Sequence, residues 1–405
     1  MAPAHFLTAA ERYRPTVTEL LGDLIRTPSL SGDEGDVISR LRQEMESLGY
    51  DEVTVDPFGS LIGRIGDGPV TIVYDAHVDT VGVGCPSEWP GDPFEPRIKS
   101  GVIYGRGACD DKGGIAAMVM GGALYKQLRS SNDVTLYVVG SVQEEDCDGL
   151  ALEHLLTEVL PRPDLVVLGE ATDRGVFRGN RGRIEVLVCT RGSSCHASAP
   201  DRGRNPVYDL APIIGEIQDL NGKLGWDDFL GAGTIAVTKI TCETPSLNAV
   251  PATSAIYLDR RLTAGEDPAA ALAEIRDLPA IRDAGAEVEL LTYQQPSFTG
   301  LTLSMTKQYQ TWVMPEHDLA VQAGILAGQK ALGRTPETGH WVFSTNGVAS
   351  MGKLGIPTIG YGPGNEIHAH TVADQCPIDD LVDAMAWYAA FPQTFVSART
   401  IEAVT

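Results

Sequence analysis

The chain has 405 residues, more than one hydrophobic core usually serves, so two domains are expected. Its 43% hydrophobic and 21% charged content is that of a globular enzyme and argues against disorder. With 31 basic against 54 acidic residues the net charge is −23, a surface that repels nucleic acid and anionic lipid but leaves room for a local cationic pocket.

In chain order, Ala9 to Leu48 reads as two amphipathic helices broken at Thr27-Pro28-Ser29-Leu30-Ser31-Gly32, a turn-rich stretch able to cap the second. Strands are expected at Glu52–Val55, Leu61–Arg64 and Val70–Tyr74. A helix over Gly113–Leu128 carries Gly114, Ala116, Ala117, Gly121 and Gly122, small enough to lie close against a sheet. Strands Val134–Ser141 and Leu165–Leu168 flank a helix at Ala151–Leu160. Such alternation predicts an α/β layered domain, helices on both faces of a mixed central sheet. From Arg183 the pattern becomes strand 184–190, helix 206–220, strands 234–242 and 254–262, helix 268–278 and strand 286–293. That β-α-β-β-α-β order is the ferredoxin-like plan. Helices at 319–332 and 379–391 and strands at 341–343 and 358–361 then resume the first layout. The expected organisation is a first domain over 1–181, an inserted ferredoxin-like α+β domain over 182–294, and a return to the first domain over 295–405.

Cys85, Cys109, Cys147, Cys189, Cys195, Cys242 and Cys376 are scattered, odd in number and without a CxxC pair, which argues against a disulfide framework or a thiolate finger. The opening MAPAHFLTAAERYRP lacks a signal peptide's apolar run, and no segment is long and apolar enough to span a bilayer. A cytoplasmic setting without nucleic-acid or membrane partners is expected.

Chemistry concentrates where strands end. Val70–Tyr74 runs into Asp75-Ala76-His77-Val78-Asp79, where His77 can offer a ring nitrogen to a metal while Asp79 accepts the other ring N–H. Taken alone, a hydrogen-bonded loop histidine is the better account of it. Gly105-Arg106-Gly107-Ala108-Cys109-Asp110-Asp111-Lys112-Gly113-Gly114 has neither GxGxxG nor GxxxxGK[ST] spacing, so a phosphate cradle is set aside. It places two carboxylates at a helix mouth, Asp110 suited to bridging two cations and Asp111 to an N-cap. Val134–Ser141 ends in Gln143-Glu144-Glu145-Asp146, and adjacent glutamates suit a split role of ligand and proton acceptor. Leu165–Leu168 ends in Gly169-Glu170. Gly362-Pro363-Gly364-Asn365-Glu366-Ile367-His368-Ala369-His370 again follows a strand. Three strands of parallel type thus finish in His or carboxylate at one edge, where open α/β sheets collect their sites.

Together, in order, these five motifs resemble the metallopeptidase family of acetylornithine deacetylase, succinyl-diaminopimelate desuccinylase, carboxypeptidase G and aminoacylase, over essentially the whole chain. The resemblance implies two zinc ions bridged by Asp110, with Co²⁺ or Mn²⁺ able to substitute, and a cis Asp110–Asp111 peptide. It assigns His77 and Glu170 to one ion, Glu145 and His370 to the other, Glu144 as general base and Asp79 as the orienter of His77. It further implies that the inserted domain dimerises and acts as a lid. His196, in Gly192-Ser193-Ser194-Cys195-His196-Ala197, would then stabilise the oxyanion in the partner's site of a homodimer. Asn248 and Arg261 resemble the pair that holds a substrate carboxylate, a task for which guanidinium geometry is apt; a salt bridge within the strand pair is the rival account of Arg261.

Some positions depart from the pattern. Asp374 stands where a longer second acid follows the last ligand, which makes His368 an alternative to His370. Phe343-Ser344-Thr345-Asn346-Gly347-Val348-Ala349-Ser350 replaces a substrate-pocket segment and offers Asn346 to substrate. Together with Glu145-Asp146-Cys147-Asp148-Gly149, Ser194-Cys195-His196 and Asp259-Arg260-Arg261-Leu262-Thr263, that stretch looks like a subgroup linked by name to selenium metabolism. Cys147 and Cys195, with no base assigned near them, are expected to pack. The implied activity is hydrolysis of an N-acyl-amino acid or dipeptide bearing a free carboxylate. A carbamoyl-amino-acid amidohydrolase and a non-catalytic metal- or peptide-binding relative are the alternatives.

Overall fold

The computed structural model describes residues 4–402. Three helices open the chain, α1 (Ala4–Glu11), α2 (Arg14–Arg26) and α3 (Gly35–Ser47), where two were expected. The apolar periodicity runs through the break at Arg12-Tyr13, and Pro15 sits in the first turn of α2, a place proline favours. The turn after α2 is pinned onto the site. Leu30 bridges Thr80, the Thr80 N–H donates to Ser29 O at 2.8 Å, and Ser29 Oγ donates to Val78 O at 2.7 Å.

β1 (Glu52–Val55), β2 (Leu61–Ile65), β3 (Val70–His77), α4 (Lys112–Leu128), β4 (Val134–Ser141) and β5 (Leu165–Leu168) follow, close to expectation. β6 (Val176–Asn180) was not legible, because Arg178-Gly179-Asn180 breaks any alternation. Then come β7 (Gly182–Arg191), α5 (Pro206–Asn221), β8 (Thr234–Glu243), β9 (Thr253–Leu262), α6 (Pro268–Arg276) and β10 (Glu287–Leu290). β11 (Trp312–Val313), α7 (Leu319–Leu332), β12 (Thr338–Trp341), β13 (Thr358–Gly360) and α8 (Ile378–Glu402) complete the main elements. β12 begins and ends earlier than the expected 341–343 strand. Its Thr338-Gly339 pairs with Val176-Phe177, and Val342, within the expected strand, lies beyond it and faces solvent.

The large sheet runs β1-β2-β4-β3-β5-β13-β6-β11, with β12 on β6. Its centre, β4-β3-β5-β13, is parallel, so four carboxyl ends open on one edge. The second sheet runs β8-β9-β7-β10, all antiparallel, the ferredoxin-like order. Buried apolar side chains form two clusters, and the second draws only on residues between Ile184 and Val288. The glycines of α4 serve two neighbours. A methyl on Gly122 would meet Tyr50 and Val138 on the sheet side, and one on Gly121 would stand 2.6 Å from the Tyr388 Cβ of α8. Among the described residues no helix is long and apolar enough to cross a membrane.

Gly360 on β13 lies against the fully buried Trp341 ring, whose Nε1 donates to Ala171 O at 3.0 Å beside Glu170. Because a methyl there overlaps the ring, Gly360→Ala is expected to destabilise the fold by roughly 1–3 kcal/mol. A thermal melt checks this, and an unchanged Tm would contradict the packing.

Candidate metal centre

The last residue of β3 is His77, the loops that leave the carboxyl ends of β4, β5 and β13 deliver Glu144–Glu145, Glu170 and His370, and the loop before α4 delivers Asp110. They converge on the Asp110 carboxylate. His77 Nε2 lies 2.8 Å from Asp110 Oδ1 and 3.7 Å from Glu170 Oε1. On the other side, His370 Nε2 lies 3.1 Å from Asp110 Oδ2 and 2.9 Å from Glu145 Oε2. The two oxygens of one aspartate therefore face two different histidines, each with its own glutamate. The Asp110–Asp111 peptide is cis. Donor atoms of His77, Glu144 and Glu170 lie within 4.8 Å of one another, as do those of His77, Asp110 and Glu145.

Burial makes this cluster costly as bare charge. Desolvation holds Glu144 and Glu170 well above the usual carboxylate range, and Glu145 is raised as well, by burial and by the nearby Asp110 charge. Burial raises Asp110 too, but its hydrogen bonds to His370 and His77 outweigh that and leave it below its usual value. The same contacts, with Asp110 first and Glu145 second, push His370 up to about 10. Burial presses His77 down, yet its contacts with Asp110 and Asp79 prevail and hold it well above the usual histidine range. Asp111, fully buried at the N-cap of α4 rather than at a surface, has no aligned hydrogen bond on either carboxylate oxygen. A set of imidazole and carboxylate donors that is stabilised only by protons is one that a pair of divalent cations fits, since a cation replaces those protons.

The supporting contacts differ from expectation in instructive ways. His77 Nδ1 meets the main-chain carbonyl of Asp79 at 2.9 Å, and the Asp79 carboxylate is 3.6 Å away. A carbonyl only accepts, so Nδ1 carries the proton and Nε2 is left as the donor atom toward a metal. The carboxylate of Asp79 instead accepts the N–H groups of Glu144 at 3.1 Å and Glu145 at 3.0 Å and the Ser31 hydroxyl at 2.7 Å. Asp374 does not back His370. It accepts from the N–H groups of Gly107 at 2.7 Å and Cys109 at 2.8 Å and pairs with Arg106 at 3.0 Å, fixing the loop that carries Asp110. His368 turns to Gln375 and stays out of the cluster.

Asn346, expected at the substrate, is buried and spends both N–H donors on Asp75 at 2.8 Å and Ser141 at 3.0 Å; its oxygen accepts from Gly149 N–H at 2.7 Å. It ties together the chain on either side of the site. Arg261 makes a two-pronged pair with Asp259 at 2.6 and 2.9 Å, the intrastrand salt bridge that was the rival account. His196 and Asn248 lie together on exposed loops of the ferredoxin-like body, joined by the Ala197 N–H to Asn248 O bond at 2.8 Å and by the His196–Ala249 bridge. The His196 ring meets Ser198 and no residue of the metal cluster among the described residues. Cys147 is buried, accepts from Tyr309 Oη at 3.5 Å and is pushed up to about 12 by burial, which suits packing rather than nucleophilic chemistry.

The sequence pattern of Peptidase family M20/M25/M40 matches residues 73–394. The chain belongs to this family. It is 43% identical to YgeY, an uncharacterized Escherichia coli (strain K12) protein, over 97% of this chain and 98% of that one. It is 28% identical to a succinyl-diaminopimelate desuccinylase of Gluconacetobacter diazotrophicus over 93% of this chain and 96% of the relative. Its fold matches the M20 metallo-carboxypeptidase Sso-CP2 of Sulfolobus solfataricus with a TM-score of 0.74 at 20% identity, over 94% of this chain and 99% of that one. As an M20-family member the protein is a metal-dependent peptidase or deacylase.

Proton linkage at the cluster gives a directional test. His370, His77, Glu144 and Glu170 all bind protons in the folded chain at pH values where the unfolded chain has released them. The His370 contribution is complete below its unfolded value of about 6.5 and is lost as pH rises toward about 10. Metal-free protein should therefore melt at a lower temperature at about pH 8.5 than at about pH 6, and added zinc should raise Tm more at the higher pH. A metal-free Tm that climbs with pH over that interval would contradict the electrostatics.

Proposed function

We propose that the protein is a zinc-dependent hydrolase that cleaves the amide or peptide bond of an N-acyl-amino acid or dipeptide bearing a free carboxylate. The observation that carries this reading is the division of Asp110, one oxygen toward His77 and Glu170, the other toward His370 and Glu145, with Glu144 left over beside them. A binding protein needs the five donors but has no use for a sixth, buried carboxylate. In this reading His77, Asp110 and Glu170 hold one zinc and Asp110, Glu145 and His370 the other.

Zinc bound there supplies Lewis acidity, which lowers the pKa of water and draws charge from the scissile carbonyl. The chain's own residues do the rest. Glu144, buried beside the donor set but left over from it, takes the proton of the attacking water and returns it to the leaving amine. Asp79, through its main-chain carbonyl, keeps His77 in one tautomer, and through its carboxylate keeps Glu144 and Glu145 in place.

The substrate carboxylate falls to Asn248 and Arg261. Arg261 spends Nε and Nη2 on Asp259, so an incoming carboxylate takes Nη1 or displaces Asp259. His196, exposed and without a contact to its own cluster among the described residues, is assigned to the site of a partner subunit as an oxyanion donor, which makes the protein a homodimer through the ferredoxin-like body. Seven unpaired cysteines accord with a reducing cytoplasm.

Screening zinc-loaded protein against N-acyl amino acids and dipeptides tests the substrate class, and failure to turn over any member would overturn it. On the best substrate, Glu144→Ala should lower kcat by about 10²–10⁴-fold while zinc content stays at the wild-type level. Loss of zinc in that variant would make Glu144 a ligand instead, and retained turnover would remove it as the base.

A further inference from the structure

The general base sits in a turn whose main chain is gripped by two buried carboxylates, and only one of them has a role so far. Asp79 holds the N–H groups of Glu144 and Glu145. The N–H group just before them, that of Gln143, donates to Glu34 Oε1 at 3.1 Å. Three consecutive amides are thus captured by two acids that come from different parts of the chain. Gln143 itself has φ +56, a left-handed conformation that a glutamine rarely adopts without outside support.

Glu34 is fully buried, and its position is not that of an ordinary helix cap. It stands at the N-cap of α3 yet makes no side-chain bond to that helix. Its Oε1 instead accepts the Gly32 N–H at 2.9 Å as well as that of Gln143. Gly32 follows Ser31, whose hydroxyl donates to Asp79 at 2.7 Å, so one end of the Ser31–Glu34 turn holds the base-bearing turn directly and the other holds it through Asp79. The far side of Gln143 is tied as well, its Nε2 donating to Pro296 O at 3.0 Å on the chain returning from the ferredoxin-like body. Surface stability offers no reason for this arrangement, because a buried carboxylate is costly unless its hydrogen bonds are used. What they are used for is the direction in which the next two residues project: Glu145 toward His370, and Glu144 toward His77 and Glu170.

We propose that Glu34 is a positioning residue of the hydrolytic site: through the Gln143 amide it sets the turn that aims Glu144 at its proton and Glu145 at its metal. This rests on the hydrolase reading only for its kinetic consequence; its geometric consequence is independent of any substrate. The property that matters is the acceptor oxygen, not the negative charge. A glutamine at this place keeps an acceptor, whereas a methionine fills the same volume without one.

The test compares Glu34→Gln with Glu34→Met in the full-length protein, both confirmed folded by thermal melt. Cobalt(II) alone serves as the first probe, by chelator competition and by its visible absorption in the protein. Glu34→Gln should match wild type within about threefold in cobalt affinity with an unaltered band. Glu34→Met should bind cobalt at least tenfold more weakly with a changed band, because Glu145 is displaced. On the best substrate of the panel, Glu34→Met should lose about 10- to 100-fold in kcat with KM within about twofold, and Glu34→Gln should restore kcat to within about threefold of wild type. Wild-type cobalt binding and band in Glu34→Met would overturn the proposal, and so would a Glu34→Gln protein as impaired as Glu34→Met. If Glu34→Met does not fold, a folded Glu34→Gln with more than a tenfold loss in cobalt affinity overturns it and a wild-type value supports it. If no panel member is turned over while the cobalt results hold, the substrate reading fails and the positioning role stands.

Discussion

The cost of burying carboxylates next to one another governs this molecule. Asp110, Glu144, Glu145 and Glu170 crowd together with their side chains largely withdrawn from solvent, His370 closes the cluster from the exposed side, and the two histidines can offset at most two of the four charges. Left bare, such a cluster either takes up protons or pushes itself apart. A pair of divalent cations resolves the conflict with donors already in place. The central parallel strands make the gathering possible, because their carboxyl ends lie side by side: β3, β4 and β5 reach the common point within a few residues, and β13 reaches it through the longer loop to His370.

Keeping those short loops still falls to polar residues that never touch the metal positions. Asp374 fixes the Gly107–Cys109 turn from a segment more than two hundred residues away, Asp79 and Glu34 fix the Gln143–Glu145 turn, and Asn346 joins Asp75, Ser141 and Gly149. Each is a side chain satisfying main-chain or side-chain partners from another loop, so the donor loops brace one another. In a low-dielectric interior such networks are strong when complete and weak when one member is missing. This explains why acids that look redundant along the chain are each engaged differently in space.

Much of this was legible beforehand, and what was not has a common cause. His77, Asp110, Glu144-Glu145, Glu170 and the stretch holding His368 and His370 stand out as donors at strand ends or a helix mouth, the choice of Glu145 and His370 as ligands came with the family resemblance, and the ferredoxin-like order of β7 to β10 follows from plain periodicity. That Asp79 meets His77 through its carbonyl rather than its carboxylate depends on backbone direction, which residue type does not encode. Asn346 was offered to substrate because its partner Asp75, 271 residues away in sequence, meets it only once the chain is folded, whereas the Arg261–Asp259 pair, two residues apart, was already the rival account. Glu34 escaped notice altogether, though Ser31-Gly32-Asp33-Glu34 marks a tight turn, since its partner Gln143 lies 109 residues on. α1 and α2 merged in the sequence reading because a helix break without glycine leaves apolar periodicity almost intact.

The account stands on one aspartate serving two cations. Metal content per chain in zinc-loaded wild type and in Asp110→Ala measures this directly. Two zinc ions in wild type and nearly none in the variant is the predicted result, since removing the shared ligand strips both positions at once. An Asp110→Ala protein that still holds two ions tightly would contradict the shared-ligand geometry and with it the proposed chemistry.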